Sequence, residues 1–298
     1  MCDASRENVL HEPEEAPRDQ PGRSVPGLAR DRGPRDSRLS ARAAPAHRTG
    51  WKNQSVEGPV RITFPDGRGA AAVRIENEGE LEEARDALGL VPPRSTLVLV
   101  GGADGLGEVE RDRLRPVFEH SLAPLAESLG AVVVDGGTDA GVMALIGEAR
   151  EAGEARFPLV GVLVAELAGL RDRDGRITAE RLEPRHTHFV LVPGSEWGDE
   201  AECLARFATV VAGSKPSVTV LVDGGEFAWE DVRASVSASR PVTVLTDSGR
   251  TADELAQAAA GHSTDRRASA LVATGLIHAV HVGDPRLPDR LGSFLTGR

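Results

Sequence analysis

Four times in this 298-residue chain a short apolar run ends at a glycine-bearing turn and a helical pattern follows. The four are Val98-Leu99-Val100-Gly101-Gly102, Val132-Val133-Val134-Asp135-Gly136-Gly137, Val220-Leu221-Val222-Asp223-Gly224-Gly225 and Val244-Leu245-Thr246-Asp247-Ser248-Gly249. This rhythm constrains the chain to parallel strands joined by crossover helices. A strand that ends in glycine and leads into a helix leaves backbone N–H groups at the helix N-terminus. The helix dipole favours an anion there, and glycine lets a phosphate approach the backbone. In a parallel sheet all such turns fall on one edge, at the carboxyl ends of the strands. The repetition points to an open α/β fold with a nucleotide or similar phosphorylated molecule on that edge.

Composition narrows the alternatives. A formal net charge of -11 argues against sequence-independent binding to nucleic acid, which needs a basic surface. No apolar stretch approaches the roughly 20 residues of a membrane span, and no signal peptide is read at the Met1 end. With only Cys2 and Cys203 there is no disulfide framework, and the cytoplasm is the expected compartment.

Residues 1–58 hold ten basic and nine acidic residues, are rich in proline and lack apolar periodicity, so a disordered tail is expected. A misassigned start codon is the alternative explanation for this segment. The domain proper is expected over 59–298. It opens with a small hairpin, Val60–Phe64 and Ala71–Ile75 around Pro65-Asp66-Gly67, followed by a short helix over Glu80–Leu88. Strands are predicted at 96–101, 131–135, 158–164, 187–193, 217–223 and 241–247, with helices at about 109–129, 139–152, 198–212, 228–238 and 251–260. Leu276 to Val282 reads as an edge strand, and the charged stretch 171–185 as an exposed insertion. The strands are continuous Val/Leu runs, as in a sheet covered on both faces. The expected fold is therefore Rossmann-like α/β: a mostly parallel sheet of six or seven strands, helices on both faces, and the N-terminal hairpin.

The strongest local signal is Asp135-Gly136-Gly137-Thr138-Asp139-Ala140-Gly141-Val142-Met143. Its glycine pair permits a tight turn, Thr138 or Asp139 is placed to cap the helix, and Gly141 thins the first helical turn where phosphate or ribose would sit. Taken alone this is as well explained by packing; three companion turns on the same edge favour a ligand. In Asp247-Ser248-Gly249-Arg250-Thr251-Ala252-Asp253-Glu254, Thr251 and Glu254 read as a capping box. That leaves Ser248 to donate to a phosphate oxygen and Arg250 to bind one bidentately, a solvated Arg250 being the plainer alternative.

His186-Thr187-His188 puts two imidazoles on one strand face, yet no third ligand follows at metal spacing. A ligand-contacting or packed histidine is expected instead, with His188 as the contact. Pro193-Gly194-Ser195-Glu196-Trp197-Gly198 closes that strand, and Trp197 either stacks on a purine or seals the core. The Gly-x-Ser-x-Gly elbow is absent, Cys203 has no basic partner nearby in sequence, and the first turn lacks Gly-x-Gly-x-x-Gly. Nucleophilic catalysis and an ordinary NAD dehydrogenase are disfavoured.

Val100-Gly101-Gly102-Ala103, the Asp135–Met143 motif, His186-Thr187-His188-Phe189, Asp223-Gly224-Gly225 and Ser248-Gly249-Arg250-Thr251-Ala252-Asp253 together resemble the SLOG superfamily. The likeness is to its prokaryotic LSDAT branch, related to the cytosolic N-terminal domain of melastatin-type (TRPM) channels. The resemblance implies a ligand sensor for ADP-ribose- or NAD-related molecules, in stress or defence signalling, with no required cofactor and no metal. The Lonely Guy phosphoribohydrolases, another SLOG branch, carry Pro-Gly-Gly-x-Gly-Thr-x-x-Glu. Here Asp223-Gly224-Gly225-Glu226-Phe227-Ala228-Trp229-Glu230-Asp231 lacks the Gly-Thr pair and has Asp231 at the glutamate position. An N-glycosidic hydrolase and a scaffold with a degenerate site are the alternative functions.

The expected ligand contacts are Gly101, Gly102, Ala103, Gly136, Gly137, Thr138, Gly141, Val142, Met143, His188, Gly194, Ser195, Gly224, Gly225, Ser248, Gly249 and Arg250. The expected partner is the small nucleotide ligand, without nucleic acid or membrane; a homo-oligomer or a signalling protein is left open.

Overall fold

A computed structural model describes residues 58–103, 106–169, 179 and 181–298. The predicted disordered tail lies outside the described residues, apart from Gly58. Nine strands form one sheet: Val60–Thr63 (β1), Gly69–Arg74 (β2), Thr96–Gly101 (β3), Val132–Asp135 (β4), Leu159–Val164 (β5), His188–Val192 (β6), Ser217–Val222 (β7), Val242–Thr246 (β8) and Ile277–His281 (β9). Their order is β1-β2-β6-β5-β4-β3-β7-β8-β9, and only β1 and β2 pair antiparallel. The hairpin is part of the sheet. β2 runs parallel beside β6, with Val73 opposite Val190, and buries Ala70, Ala72 and Val73. That attachment accounts for nine strands where six or seven were expected.

Nine α-helices are described: Leu81–Ala87 (α1), Glu108–Val117 (α2), Ala123–Leu129 (α3), Gly141–Ala152 (α4), Ala201–Ala212 (α5), Phe227–Ser237 (α6), Arg250–Ala259 (α7), Arg266–Ala273 (α8) and Leu287–Thr296 (α9). The single helix expected over 109–129 is interrupted. Pro116 lacks an N–H, and Phe118–Leu122 widens into a π-helix between α2 and α3. Sequence analysis also passed over α8 and α9, although Leu287, Leu291 and Leu295 recur at i, i+4, i+8 and are all buried.

Alternation along the strands sorts the core into two layers. Val98 and Val100 of β3 pack with α1, α5, α6 and α7, whereas Leu97 and Leu99 pack with α2, α3, α4 and α9. Chain order then fixes where a ligand can enter. β3, β4, β5 and β6 succeed one another toward one side of the sheet, and β7, β8 and β9 toward the other. The direction reverses between β3 and β7, which opens a crevice at their carboxyl ends.

Candidate functional site at the β3/β7 crevice

The glycines at this crevice divide by what their missing side chains permit. A Cβ on Gly101 would overlap the Val222 carbonyl oxygen of the neighbouring strand. One on Gly141 (φ +48) would run into the Gly102 carbonyl oxygen, which accepts a hydrogen bond from the Val142 N–H at 3.0 Å. Gly137 (φ +68) lies against Gly161 Cα and the Phe189 ring, 2.7 and 3.1 Å from its would-be Cβ. Gly137 and Gly141 are therefore required by the chain itself, a correction to the expectation that they make room for a ligand. Gly136 and Gly225 differ. A Cβ on Gly136 would meet only Met143 Sδ at 4.0 Å, and one on Gly225 only Arg250 Nη1 at 3.4 Å.

Over Gly102 lies an ion pair. A Cβ there would strike Asp223 Oδ2 and come within 2.5 Å of Arg250 Nη2. Arg250 Nε donates to Asp223 Oδ1 and Oδ2 at 2.9 and 3.1 Å, and Arg250 Nη2 also pairs with Oδ2. The Asp223 carboxylate raises the Arg250 pKa further above its usual value. Asp223 (φ +59), Asp247 (φ +61) and Arg250 (φ +36) all sit in the left-handed region that disfavours side chains. Such residues gather where function over-determines the backbone. Gly224 packs on Ala228 Cβ, and Gly249 faces Asp223 Oδ1, each 2.5–2.8 Å from a would-be Cβ.

Several expected contacts are otherwise engaged. Ser248 is buried; its hydroxyl donates to Leu245 O and accepts from the Asp223 N–H, which makes it a brace and not a phosphate donor. The Thr251/Glu254 capping box does not form. The α7 N-cap is Gly249, Thr251 donates to Gly225 O, and the Asp253 carboxylate takes the Gly249 N–H at 3.1 Å. Neither Thr138 nor Asp139 caps α4, whose N-cap is Ala140. Among the described α-helices only α8 has a side-chain cap, from Asp265; α2, α4, α6 and α7, which follow β3, β4, β7 and β8 at this edge, have none. Uncapped N-termini facing one crevice favour an anion there. Val142 and Met143 are core residues under the turn, and Ala103 packs half-buried against the same layer.

His188 is the first residue of β6, so it stands at the amino edge, across the sheet from the glycine turns. A strand begins where pairing begins, and Ala71 and Val160 pair there. Burial, then the Arg150 charge, push its pKa down to about 4. Gly194 and Ser195 do follow a strand at the carboxyl edge, but β5 and β4 separate β6 from β3. Their turn is closed by Asp199, which accepts the Ser195 and Glu196 N–H groups at 2.9 and 3.1 Å.

Sequence reasoning missed a buried triad beneath the Gly136-Gly137 turn. His186 Nε2 lies 2.7 Å from Asp135 Oδ1 and its Nδ1 lies 2.8 Å from Glu183 Oε2. Burial opposes its charge, but the Asp135 and Glu183 carboxylates prevail and push the imidazole pKa up to about 9. Asp135 Oδ1 also accepts the Gly137 N–H at 2.8 Å; Asp135 Oδ2 and Thr138 Oγ1 are buried without a partner among the described residues. Glu183 comes from the stretch expected to be an exposed insertion. Of its described residues, Ala179, Leu182 and Glu183 are buried, because they pack on the Gly137–Asp139 turn. The available signal was Gly147, where a Cβ would come within 2.5 Å of the Glu183 carboxylate.

Among the described residues there is no group of three or more His, Cys, Asp or Glu arranged to hold a metal, and no helix long and apolar enough to cross a membrane. The chain is similar to mouse transient receptor potential cation channel subfamily M member 2, 26% identical over 207 residues, covering 57% of this chain and 14% of the channel. A Nematostella vectensis subfamily M member-like 2 protein is 27% identical over 198 residues, covering 54% and 13%. The chain thus matches about one seventh of the length of these relatives. The solved structure of the structural-genomics target TM1055 aligns with a TM-score of 0.43 and 20% identity, over 63% of this chain and 94% of that one. The family described as SLOG in TRPM, prokaryote, matches residues 94–287, so with these turns at its strand ends the chain belongs to the prokaryotic LSDAT branch of the SLOG domains.

Proposed function

We propose that this protein is a cytoplasmic sensor that binds a nucleotide-derived ligand, related to ADP-ribose or NAD, in the β3/β7 crevice. The observation that carries the reading is the Asp223–Arg250 pair lying over Gly102 at the topological switch point. A guanidinium suits a diphosphate, and a carboxylate at a strand end suits ribose hydroxyls. Gly225 lies against the Arg250 guanidinium, Gly136 is only lightly packed, and the uncapped starts of α2, α4 and α6 supply N–H groups. Trp197 and Phe227 are both exposed, and the Phe227 ring lies 3.1 Å from a would-be Cβ on Gly198, next to Trp197 in sequence; either ring offers an apolar face to a base.

Titration of ADP-ribose and adenosine against Arg250→Ala and Arg250→Lys tests this reading. Truncation removes a charge-assisted contact of about 1.5–3 kcal/mol, or roughly 10- to 150-fold in ADP-ribose affinity. Lysine restores part of that, and adenosine loses little. Equal losses for both ligands would defeat the phosphate assignment.

One observation favours a hydrolytic second reading. Asp231 is half-buried, and burial followed by the neighbouring Glu200 charge raises its pKa to about 7. A carboxyl group there suits proton transfer near neutral pH as water replaces a base at the anomeric carbon, releasing free base and ribose phosphate. Product analysis after incubation with AMP separates the readings: free adenine supports hydrolysis, and intact AMP with thermal stabilisation supports sensing.

A further inference from the structure

On the amino side of the sheet, away from the crevice, is a cavity of about 340 Å³. Its walls include Arg68 from the β1–β2 turn, Arg150 and Glu151 from the end of α4, and Arg185 and Thr187 from the approach to β6. Two of its three arginines are satisfied by carboxylates. Arg68 pairs with Asp66 and Glu151, and Arg185 pairs with Glu151 at 2.7 Å and Glu183 at 2.9 Å.

Arg150 is different. Its Nε donates to Phe157 O at 2.9 Å, and its guanidinium carbon lies 5.5 Å from the centre of the Phe157 ring. These contacts fix the plane of the group. No carboxylate pairs with it, and its two terminal nitrogens have no hydrogen-bond partner among the described residues. Burial lowers its pKa, and the Glu127 and Glu183 charges offset this only from beyond ion-pair distance, so part of the desolvation cost stays uncompensated. A rigid, half-buried guanidinium with open terminal donors, lining a cavity beside two more arginines, is a receptor for an oxyanion. The cavity's volume falls in the range of small-molecule sites, about 300–1,000 Å³.

We propose that this amino-edge cavity is a second binding site, separate from the crevice, for a small oxyanion anchored by Arg150 with Arg185 and Arg68 beside it. The bound group is a phosphate or a carboxylate of a small molecule. The six residues of β5 place it roughly 15–20 Å from the carboxyl edge, so one compact ligand does not occupy both sites.

His188 reports occupancy directly, because it begins β6 next to Thr187 and feels the Arg150 charge. The experiment titrates the full chain with inorganic phosphate and, separately, succinate, following the His188 ring signal by NMR. The expected result is a saturable shift with at least one anion. Phosphate alone, succinate alone or both then names the chemistry of the bound group. Arg250→Ala should leave the midpoint unchanged, which separates this site from the crevice whether or not the crevice reading holds. Arg150→Gln should weaken binding about tenfold or more. Should that variant fold poorly, Arg68→Gln on the hairpin turn should weaken binding about threefold. The proposal is overturned if neither anion gives a saturable His188 response, or if Arg250→Ala abolishes the response. It is overturned equally if a folded Arg150→Gln, or in its place Arg68→Gln, binds as wild type does.

Discussion

Asp135-Gly136-Gly137 and Asp223-Gly224-Gly225 are the same tripeptide at the ends of two parallel strands, β4 and β7, and they perform different tasks. Asp135 is fully buried; it ties its own turn through the Gly137 N–H and locks onto His186, which Glu183 holds from the other side. Asp223 takes a left-handed backbone and presents its carboxylate to Arg250 at the crevice, where the Arg250 side chain is 42% exposed. The difference comes from neighbours. β4 is removed from the reversal by one strand, β3, and its turn is roofed by Arg181, Leu182 and Glu183, whereas β7 borders the reversal itself. An Asp-Gly-Gly turn is thus a brace where chain covers it and a candidate recognition group where the sheet leaves a crevice.

Three experiments bear on this contrast. The largest effect is expected from His186→Ala, which strands the Asp135 and Glu183 carboxylates in the interior. Breaking a buried ionic cluster in this way costs about 3–5 kcal/mol, measured as a lowered urea midpoint. A loss below about 1 kcal/mol would mean that the triad is not the brace described here.

The second comparison substitutes alanine at the last glycine of each turn. Gly137→Ala meets both an unfavourable φ and the Gly161 backbone, for a loss of about 2–4 kcal/mol. Gly225→Ala meets only the end of the Arg250 side chain and should stay within about 0.5 kcal/mol in stability. It should weaken ADP-ribose binding instead. Similar stability losses in the two variants would erase the distinction.

The gentlest test changes only pH. His186 titrates near 9 in the folded protein and near 6.5 in the unfolded chain, so its contribution is complete below 6.5 and fades as pH rises through 9. Between pH 7 and 8.5 the urea midpoint should fall in the wild type more steeply than in His186→Gln. Parallel slopes would remove His186 from the linkage.

The strand pattern was legible because continuous apolar runs end at glycine, and β3 and β7 begin where the sequence places them. The edge that gathers the glycine turns was legible for the same reason. Partners distant in sequence were not: Arg250 and Asp223 are 27 residues apart, and His186 and Asp135 are 51 apart. The expected strand 187–193 already put His188 at its amino end, where β6 starts, and so away from the glycine turns it was expected to join. Ser248 and the Asp253 side chain show a related limit. Short polar residues in a turn bond either to a ligand or to nearby backbone, and only the folded loop decides between them.

The bond from the Val142 N–H to Gly102 O, at a point where Gly141 admits no side chain, joins the start of α4 to the first turn of the crevice. This floor exists before any ligand arrives, so little ordering entropy remains to be lost there on binding. The roof, by contrast, includes a charge-assisted contact between two side chains, Asp223 and Arg250. On the sensor reading proposed above, ligand entry is an exchange of partners, in which an incoming phosphate replaces Asp223 on Arg250. On that reading, added salt loosens the Asp223–Arg250 pair while screening the phosphate, and so pulls the association rate in two directions.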